Sequence, residues 1–223
     1  MGSQRRICFE RIIPPAFEAA GTKFWPKGFT LRVAFLDGDP EVQAKVRLFA
    51  GEWMYYANVK FDFVKKPDQA HVRISFLQNG SWSAVGKDAL NEAYFPKTEP
   101  TMNYGWLTPE SPLEEYSVVL HEFGHALGLI HEHQSPGSGI KWNRDAVIAD
   151  LSGPPNNWDV ATIEHNVLSK YGSSTVSNFT QFDPGSIMLY TFPSEWTLDG
   201  MAFAENKWPS KIDKTFMSNM YPK

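Results

Sequence analysis

Apolar and polar positions alternate with a period of two at several places in the first half of the chain, which is typical of strands with one buried face. Between the first two of these segments, apolar residues recur at helical spacing over 41–58, which predicts a helix that packs against a sheet. A strand–helix–strand–strand order is typical of a twisted mixed sheet with helices. The predicted strands are 31–36, 59–64 and 71–76, followed by two short ones, both candidates for an edge, at 81–86 and 101–106.

The second half of the chain has a helical and loop-rich pattern. A helix is predicted over 113–127, and glycine, proline and asparagine then interrupt the pattern around 152–157. Three further helices are predicted, each after a capping residue: 144–151 after Asn143, 160–171 after Asp159, and 211–220 after Ser210. Ser210 and Asp213, three residues on, form an approximate capping box. The expected fold class is α+β, with an N-terminal twisted mixed β-sheet with helices and a smaller, mainly helical or irregular C-terminal part.

Composition narrows the class of protein. The chain has 223 residues, of which 42% are hydrophobic and 14% aromatic, so it can bury a core and is not disordered as a whole. Its 21 basic and 25 acidic residues leave a net charge of -4, so we expect no nucleic-acid partner. No apolar run is long enough to span a membrane. We expect one domain, 1–223, and a monomer.

Four of the six histidines fall within one short stretch, and three of them have the spacing of metal ligands. Residues 121–131 read H-E-x-x-H-x-x-G-x-x-H. His121 and His125 are four residues apart, so on a helix their rings lie on one face and can reach one zinc ion. Glu122, beside the first ligand, is placed to act on a water molecule at the metal. Solvated histidines at a helix end are the alternative interpretation.

Gly128 allows the chain to turn after the helix, so that a third histidine can reach the metal. A glycine there can adopt a positive φ, end the helix and bring His131 back to the same ion. Three protein ligands leave an open coordination position, which is typical of a catalytic rather than a structural zinc site. We interpret His133 as a loop or rim residue, and His71 and His165 as structural or solvated.

The extended motif resembles the signature of the metzincin clan of zinc metalloproteases. That clan also has a turn with a methionine beneath the zinc, and residues 186–190, S-I-M-L-Y, are the candidate Met-turn. The likeness is closest to the astacin family, whose turn reads S-x-M-H-Y: Ser186, Met188 and Tyr190 match, and Leu189 replaces the histidine. Glu132, directly after His131, also matches. The resemblance implies a metzincin-like fold with an active-site cleft between two subdomains, 1–131 and 132–223.

The chain departs from the family in its cysteines. Ser81 stands where astacins have a cysteine, and a single cysteine excludes any intrachain disulfide. The sequence therefore resembles a disulfide-free, microbial or fungal type of astacin-like protein. Its localisation stays uncertain: the family resemblance favours secretion, whereas the absence of a signal peptide in residues 1–15 and the lone cysteine permit a cytoplasmic protein.

The resemblance implies a zinc-dependent endopeptidase that cleaves protein or peptide substrates with one catalytic Zn²⁺. A zinc-bound water activated by Glu122 would attack the peptide bond. Tyr190, by analogy with astacins, would be a displaceable zinc ligand that stabilises the oxyanion. Met188 would form an apolar floor under the histidines. Two alternatives stay open: a non-catalytic, zinc-stabilised peptide-binding module, in which Glu122 would have no reason to be retained, and a zinc hydrolase of non-peptide amides.

Cys8 allows two interpretations. Its thiolate can occupy the fourth zinc position and hold a protease latent, or it can be a buried and inert thiol, which is the interpretation we favour from the sequence. No propeptide with the astacin zinc-switch motif F-x-G-D is apparent. The segment 35–39, F-L-D-G-D, has one residue too many and is interpreted as a turn.

Overall fold

The computed structural model describes residues 7–9, 11, 23–171 and 181–223. The prediction that residues 1–15 hold no signal peptide falls largely on residues outside these ranges, 1–6, 10 and 12–15. No helix in the described ranges is long and apolar enough to cross a membrane.

A five-stranded mixed sheet forms the first half of the molecule, with strand order β2-β1-β3-β5-β4. β1, β2, β3 and β5 are parallel neighbours, and β4 pairs antiparallel with β5. All five strands lie within the predicted segments or one residue from them. The prediction that both short strands could lie at an edge is right for β4 and wrong for β5, which lies between β3 and β4. The strands are β1 Thr30–Phe35, β2 Lys60–Phe63, β3 Val72–Ser75, β4 Ser81–Ser83 and β5 Met102–Tyr104.

Helices follow the predicted order, with three differences in extent. The single helix predicted over 41–58 is two helices, because the chain turns at Gly51, a residue that weakens a helix interior. The helix predicted over 113–127 begins with a 3-10 turn, Leu113–Tyr116, and the helix predicted to reach residue 171 ends in a π turn at Leu168. The helices are α1 Pro40–Ala50, α2 Trp53–Tyr56, α3 Ser117–Ala126, α4 Arg144–Leu151, α5 Val160–Ile163 and α6 Lys211–Met220.

Two large hydrophobic clusters account for most of the core. The first joins the sheet, α1 and α3, and also takes in Met217 and Tyr221 from the C-terminal end of the chain. The second gathers α4, α5 and the segment after the Met-turn, together with Ile7 and Cys8. α3 contributes only to the first cluster, whereas Leu189 and Tyr190 belong to the second, so the histidine motif lies where the two clusters meet.

The C-terminal end of α3 is held by two long-range hydrogen bonds. The indole of Trp25 donates to the carbonyl of Ala126 at 2.7 Å, and the hydroxyl of Tyr221 donates to the carbonyl of Leu127 at 2.7 Å. Carbonyls at a helix end lack partners within the helix, so these bonds satisfy groups that would otherwise be buried at a cost. They fix the end of the helix from which the third histidine departs.

Candidate active site

Three histidine rings converge on one point at the end of α3. The Nε2 atom of His125 lies 3.1 Å from Nε2 of His121 and 3.0 Å from Nε2 of His131. His121 and His125 project from successive turns of α3, and His131 comes from the loop that follows it. The structure therefore brings together the three histidines that the motif selected.

Gly128 turns the chain as predicted. Its φ is +103°, its amide donates to the carbonyl of His125 at 2.8 Å, and the next amide, of Leu129, donates to the carbonyl of Gly124 at 3.0 Å. This pair of bonds is the Schellman arrangement, which ends a helix with a residue in the left-handed region. A Cβ at Gly128 would lie 2.9 Å from Cδ1 of Phe24, so both conformation and space favour glycine here.

Burial keeps the three histidines uncharged. It lowers the pKa of His121 to about 3 and that of His125 to about 4, and it lowers the pKa of His131 well below its ordinary value; neighbouring histidines contribute to each shift. Neutral imidazole is the form that binds a metal.

Each ring has a partner on its other nitrogen. Nδ1 of His121 lies 2.7 Å from the carbonyl oxygen of Ile187 in the Met-turn, and Nδ1 of His125 lies 2.9 Å from that of Leu129. Nδ1 of His131 lies 3.3 Å from the amide oxygen of Gln134. A neutral ring that donates through Nδ1 leaves the lone pair on Nε2, so three acceptor nitrogens face one another.

This donor set fits zinc. Tetrahedral coordination at about 2.0–2.1 Å would separate the nitrogens by roughly 3.3 Å, close to the observed distances. A fourth atom completes the set: Sγ of Cys8 lies 3.8 Å from Nε2 of His125, and the four ligand atoms all lie within 4.8 Å of one another. Nitrogen and thiolate donors in this arrangement are those that zinc prefers.

Glu122 is fully buried beside the first histidine. Burial, and after it the negative charge of Glu122, raises the pKa of Tyr104 on β5 well above the ordinary value, so the carboxylate lies within electrostatic range of Tyr104.

The Met-turn packs directly under α3. A Cβ at Gly124 would lie only 2.5 Å from Sδ of Met188, so the turn can approach the helix only because this residue has no side chain. Sequence reasoning did not single out Gly124, although a glycine in the middle of a predicted helix is a recognisable signal of close packing.

Asp213 on α6 is a second residue that sequence reasoning missed as part of the site. Its carboxylate accepts hydrogen bonds from the hydroxyl of Ser186 at 2.7 Å and from the amide of Ile187 at 2.8 Å. The same carboxylate accepts from the amide of Ser210 at 2.8 Å, as the predicted capping box requires. Asp213 therefore ties the Met-turn, and through the Ile187 carbonyl His121, to the last helix.

Glu132 braces the loop next to the third histidine. Its carboxylate accepts from the amide of Asp183 at 2.8 Å, and its own amide donates to the carbonyl of Met188 at 3.0 Å. Burial raises the pKa of Glu132 to about 7, and the charges of Asp213 and Asp183 add to the effect. The residue links the histidine loop to the Met-turn.

Tyr190 lies against the histidines with its hydroxyl on the N-terminal segment. Its ring centroid is 4.3 Å from that of His131, and its hydroxyl donates a hydrogen bond to the carbonyl oxygen of Cys8. In this arrangement the phenol binds a peptide carbonyl beside the metal ligands.

The other histidines differ from one another in setting. His133 is buried, its Nε2 lies 2.9 Å from the carbonyl oxygen of Asn166, and its ring packs on Tyr190, so the prediction that it lies at a loop rim is wrong. The cause is the second hydrophobic cluster, which covers the loop. His71 accepts from the amide of Arg32 at 3.0 Å in a structural role, and His165 is half-buried in the π turn.

A cavity of about 480 Å³ opens beside His121. Its lining includes residues of the Met-turn, Trp106, the start of α3, and Ile7 and Cys8. The N-terminal segment thus contributes to the cavity beside the first metal ligand.

Comparison with known proteins identifies the family. The model of the family described as Astacin, a peptidase family, matches residues 19–220. The chain belongs to the astacin family. This family is one of peptidases, the relative nas-23 is named a zinc metalloproteinase, and the resemblance inferred from the zinc motif and the Met-turn is confirmed.

Two solved structures share the fold. A structure of myroilysin is 37% identical with a TM-score of 0.85, over 90% of this chain and 96% of that chain. High choriolytic enzyme 1, a hatching enzyme zinc-protease from Oryzias latipes, is 14% identical with a TM-score of 0.61, over 89% of this chain and 94% of that one. The predicted α+β, metzincin-like fold is confirmed.

Curated relatives are longer proteins. Zinc metalloproteinase nas-23 of Caenorhabditis elegans is 25% identical over 169 residues, which is 74% of this chain and 27% of that protein. The chain thus spans less than a third of the length of the curated relatives it matches. The likeness concerns a peptidase domain.

Proposed function

We propose that the protein is an endopeptidase that cleaves peptide substrates with one catalytic zinc ion held by His121, His125 and His131. The observation that carries this proposal is the convergence of three neutral Nε2 atoms beside the buried carboxylate of Glu122. Bound zinc supplies Lewis acidity toward a peptide carbonyl and a water molecule.

Glu122 acts as the general base. Its carboxylate accepts a proton from the attacking water and returns it to the leaving amine, as expected of a carboxylate in a closed site.

Tyr190 stabilises the oxyanion. Its hydroxyl already donates to one peptide carbonyl, that of Cys8, beside the ligand histidines. A substrate carbonyl in the same position would receive the same hydrogen bond, and the bond would strengthen as negative charge develops on the oxygen. Met188 keeps its predicted role as the floor of the site, supported by its close approach to Gly124.

The cleavage test uses the full chain loaded with zinc and carrying Cys8→Ser, offered a peptide library. Glu122→Ala is expected to lower kcat by about 10²–10⁴-fold. Chelation should abolish cleavage, and Glu99→Ala, which removes an exposed carboxylate, should leave it unchanged. Equal cleavage by the Glu122 variant contradicts the mechanism. Peptide binding without cleavage favours the binding module, and cleavage of small amides alone favours the amide hydrolase.

A second proposal concerns latency. The Cys8 sulfur lies with the three histidine nitrogens, which favours its role as a fourth ligand over an inert thiol. A thiolate there blocks the position that water and substrate need. Cobalt-substituted protein should show a thiolate charge-transfer band that Cys8→Ser abolishes, and the variant should gain activity. Identical spectra for the two proteins contradict this role.

Domain organisation, oligomeric state and location are the remaining expectations. We propose one catalytic domain with subdomains 1–131 and 132–223, supported by the two hydrophobic clusters, although α6 packs with the first. A monomer and a secreted location stay predictions.

A further inference from the structure

An arginine side chain of the N-terminal segment lies in a cage of three aromatic rings. Cζ of Arg11 is 5.0 Å from the ring centroid of Trp82, 5.2 Å from that of Tyr94 and 5.4 Å from that of Phe95. A guanidinium within about 6 Å of an aromatic centroid is attracted by the ring's electron density. We call Trp82, Tyr94 and Phe95 the aromatic cage.

Buried groups hold the cage in place. Trp82 lies on β4 and stacks on Phe95, with ring centroids 6.4 Å apart, and both residues are almost fully buried. The loop that carries Tyr94 and Phe95 is held from behind by Arg73 on β3. The Nε of Arg73 donates to the carbonyl of Glu99 at 2.6 Å, and its terminal nitrogen donates to that of Phe95 at 3.0 Å. A buried arginine that positions a loop indicates a preformed cage.

The cage lies along the edge that a peptide substrate would use. β4 is an edge strand, and the amide of Phe9 donates to the carbonyl of Ser81 on β4 at 3.2 Å. From this edge the segment continues in one direction to Cys8, at the metal ligands, and in the other to Arg11, in the cage. Extended peptides bind sheet edges through their main chain and place alternate side chains in pockets.

We propose that the aromatic cage is a substrate subsite that selects an arginine or lysine side chain, and that Arg11 fills it until the N-terminal segment leaves. The inference rests on the proposed function, because it requires a peptide to replace this segment. It adds a preference for positive charge a few residues from the scissile bond.

The selectivity test uses the full chain carrying Cys8→Ser and Arg11→Ala, loaded with zinc. A peptide library identifies cleaved sequences, and each is resynthesised with arginine or with citrulline, its neutral isostere. The kcat/KM should favour arginine about fivefold to thirtyfold, as expected for a partly desolvated cation–π contact. Tyr94→Phe should keep this ratio and Tyr94→Leu should reduce it.

A binding measurement separates failure of the subsite from failure of the peptidase. The probe is a peptide of residues 4–13, with serine at the Cys8 position and arginine or citrulline at the Arg11 position. Calorimetry measures its affinity for the same protein. Cleavage without preference for arginine contradicts the proposed subsite but agrees with the proposed peptidase activity. Absence of all cleavage overturns the peptidase, and equal affinity for the two probes then overturns the subsite as well.

Discussion

Substituting alanine for Gly128 tests whether the turn after α3 sets the geometry of the site. Alanine at a positive φ costs about 1–2 kcal/mol. The new Cβ would lie 2.9 Å from Cδ1 of Phe24, and overpacking of this kind costs typically about 1–3 kcal/mol. The smaller entropy of the unfolded alanine chain offsets up to about 1 kcal/mol. Gly128→Ala should therefore lower the free energy of unfolding by about 1–5 kcal/mol.

Gly139→Ala provides the matched control. Gly139 also has a positive φ, +63°, but a Cβ there would meet nothing within 4 Å. Urea unfolding of the zinc-free proteins should show that Gly128→Ala costs about 1–3 kcal/mol more than the control. Zinc affinity should also fall only for Gly128→Ala, since His131 follows the turn. Losses of stability within about 0.5 kcal/mol of each other would refute the argument from packing.

Three further predictions concern the supports of the site and the sheet. Asp213→Asn should lower the free energy of unfolding by about 1–3 kcal/mol, because an amide oxygen cannot accept the three hydrogen bonds that this carboxylate accepts. The control is Asp62→Asn on the exposed face of β2, which should leave urea unfolding unchanged. Tyr190→Phe in the Cys8→Ser chain should lower kcat about 10²-fold or more with little change in KM; a change in KM alone would contradict the oxyanion role. Burial lowers the pKa of His71 to about 4, so the contribution of its neutral ring to stability is present above pH 6.5 and is lost as the pH falls toward 4. His71→Phe should therefore remove about 1 kcal/mol of the pH dependence of the free energy of unfolding, measured by urea unfolding at several pH values. An unchanged pH dependence would contradict this role of His71.

The metal ligands could be predicted from sequence because their geometry is local. His121 and His125 are one helical turn apart, and Gly128 needs only its own backbone freedom to return His131 to them. Helix starts were predictable for the same reason. The side chain of Asp159 caps a backbone amide three residues away, as its type and position indicate.

The supports of the site could not be predicted, because each depends on contacts between distant parts of the chain. Asp213 was recognised as part of a capping box, but its second role on the Met-turn requires knowing that α6 packs beneath that turn. The burial of His133 likewise depends on Asn166, 33 residues away. A local pattern carries no information about which distant surface covers it.

Cys8 shows how one long-range contact changes the interpretation of several residues. The sequence left its thiol as either a zinc ligand or inert, and its neighbour His125 is 117 residues away. The same short segment that brings the sulfur to the histidines also places the Cys8 carbonyl on Tyr190 and Arg11 in the aromatic cage. These contacts share one covalent chain, so weakening any of them should loosen the others. Arg11→Ala alone should therefore raise activity toward peptides without a basic residue, whereas an isolated, purely local contact of Arg11 would leave that activity unchanged.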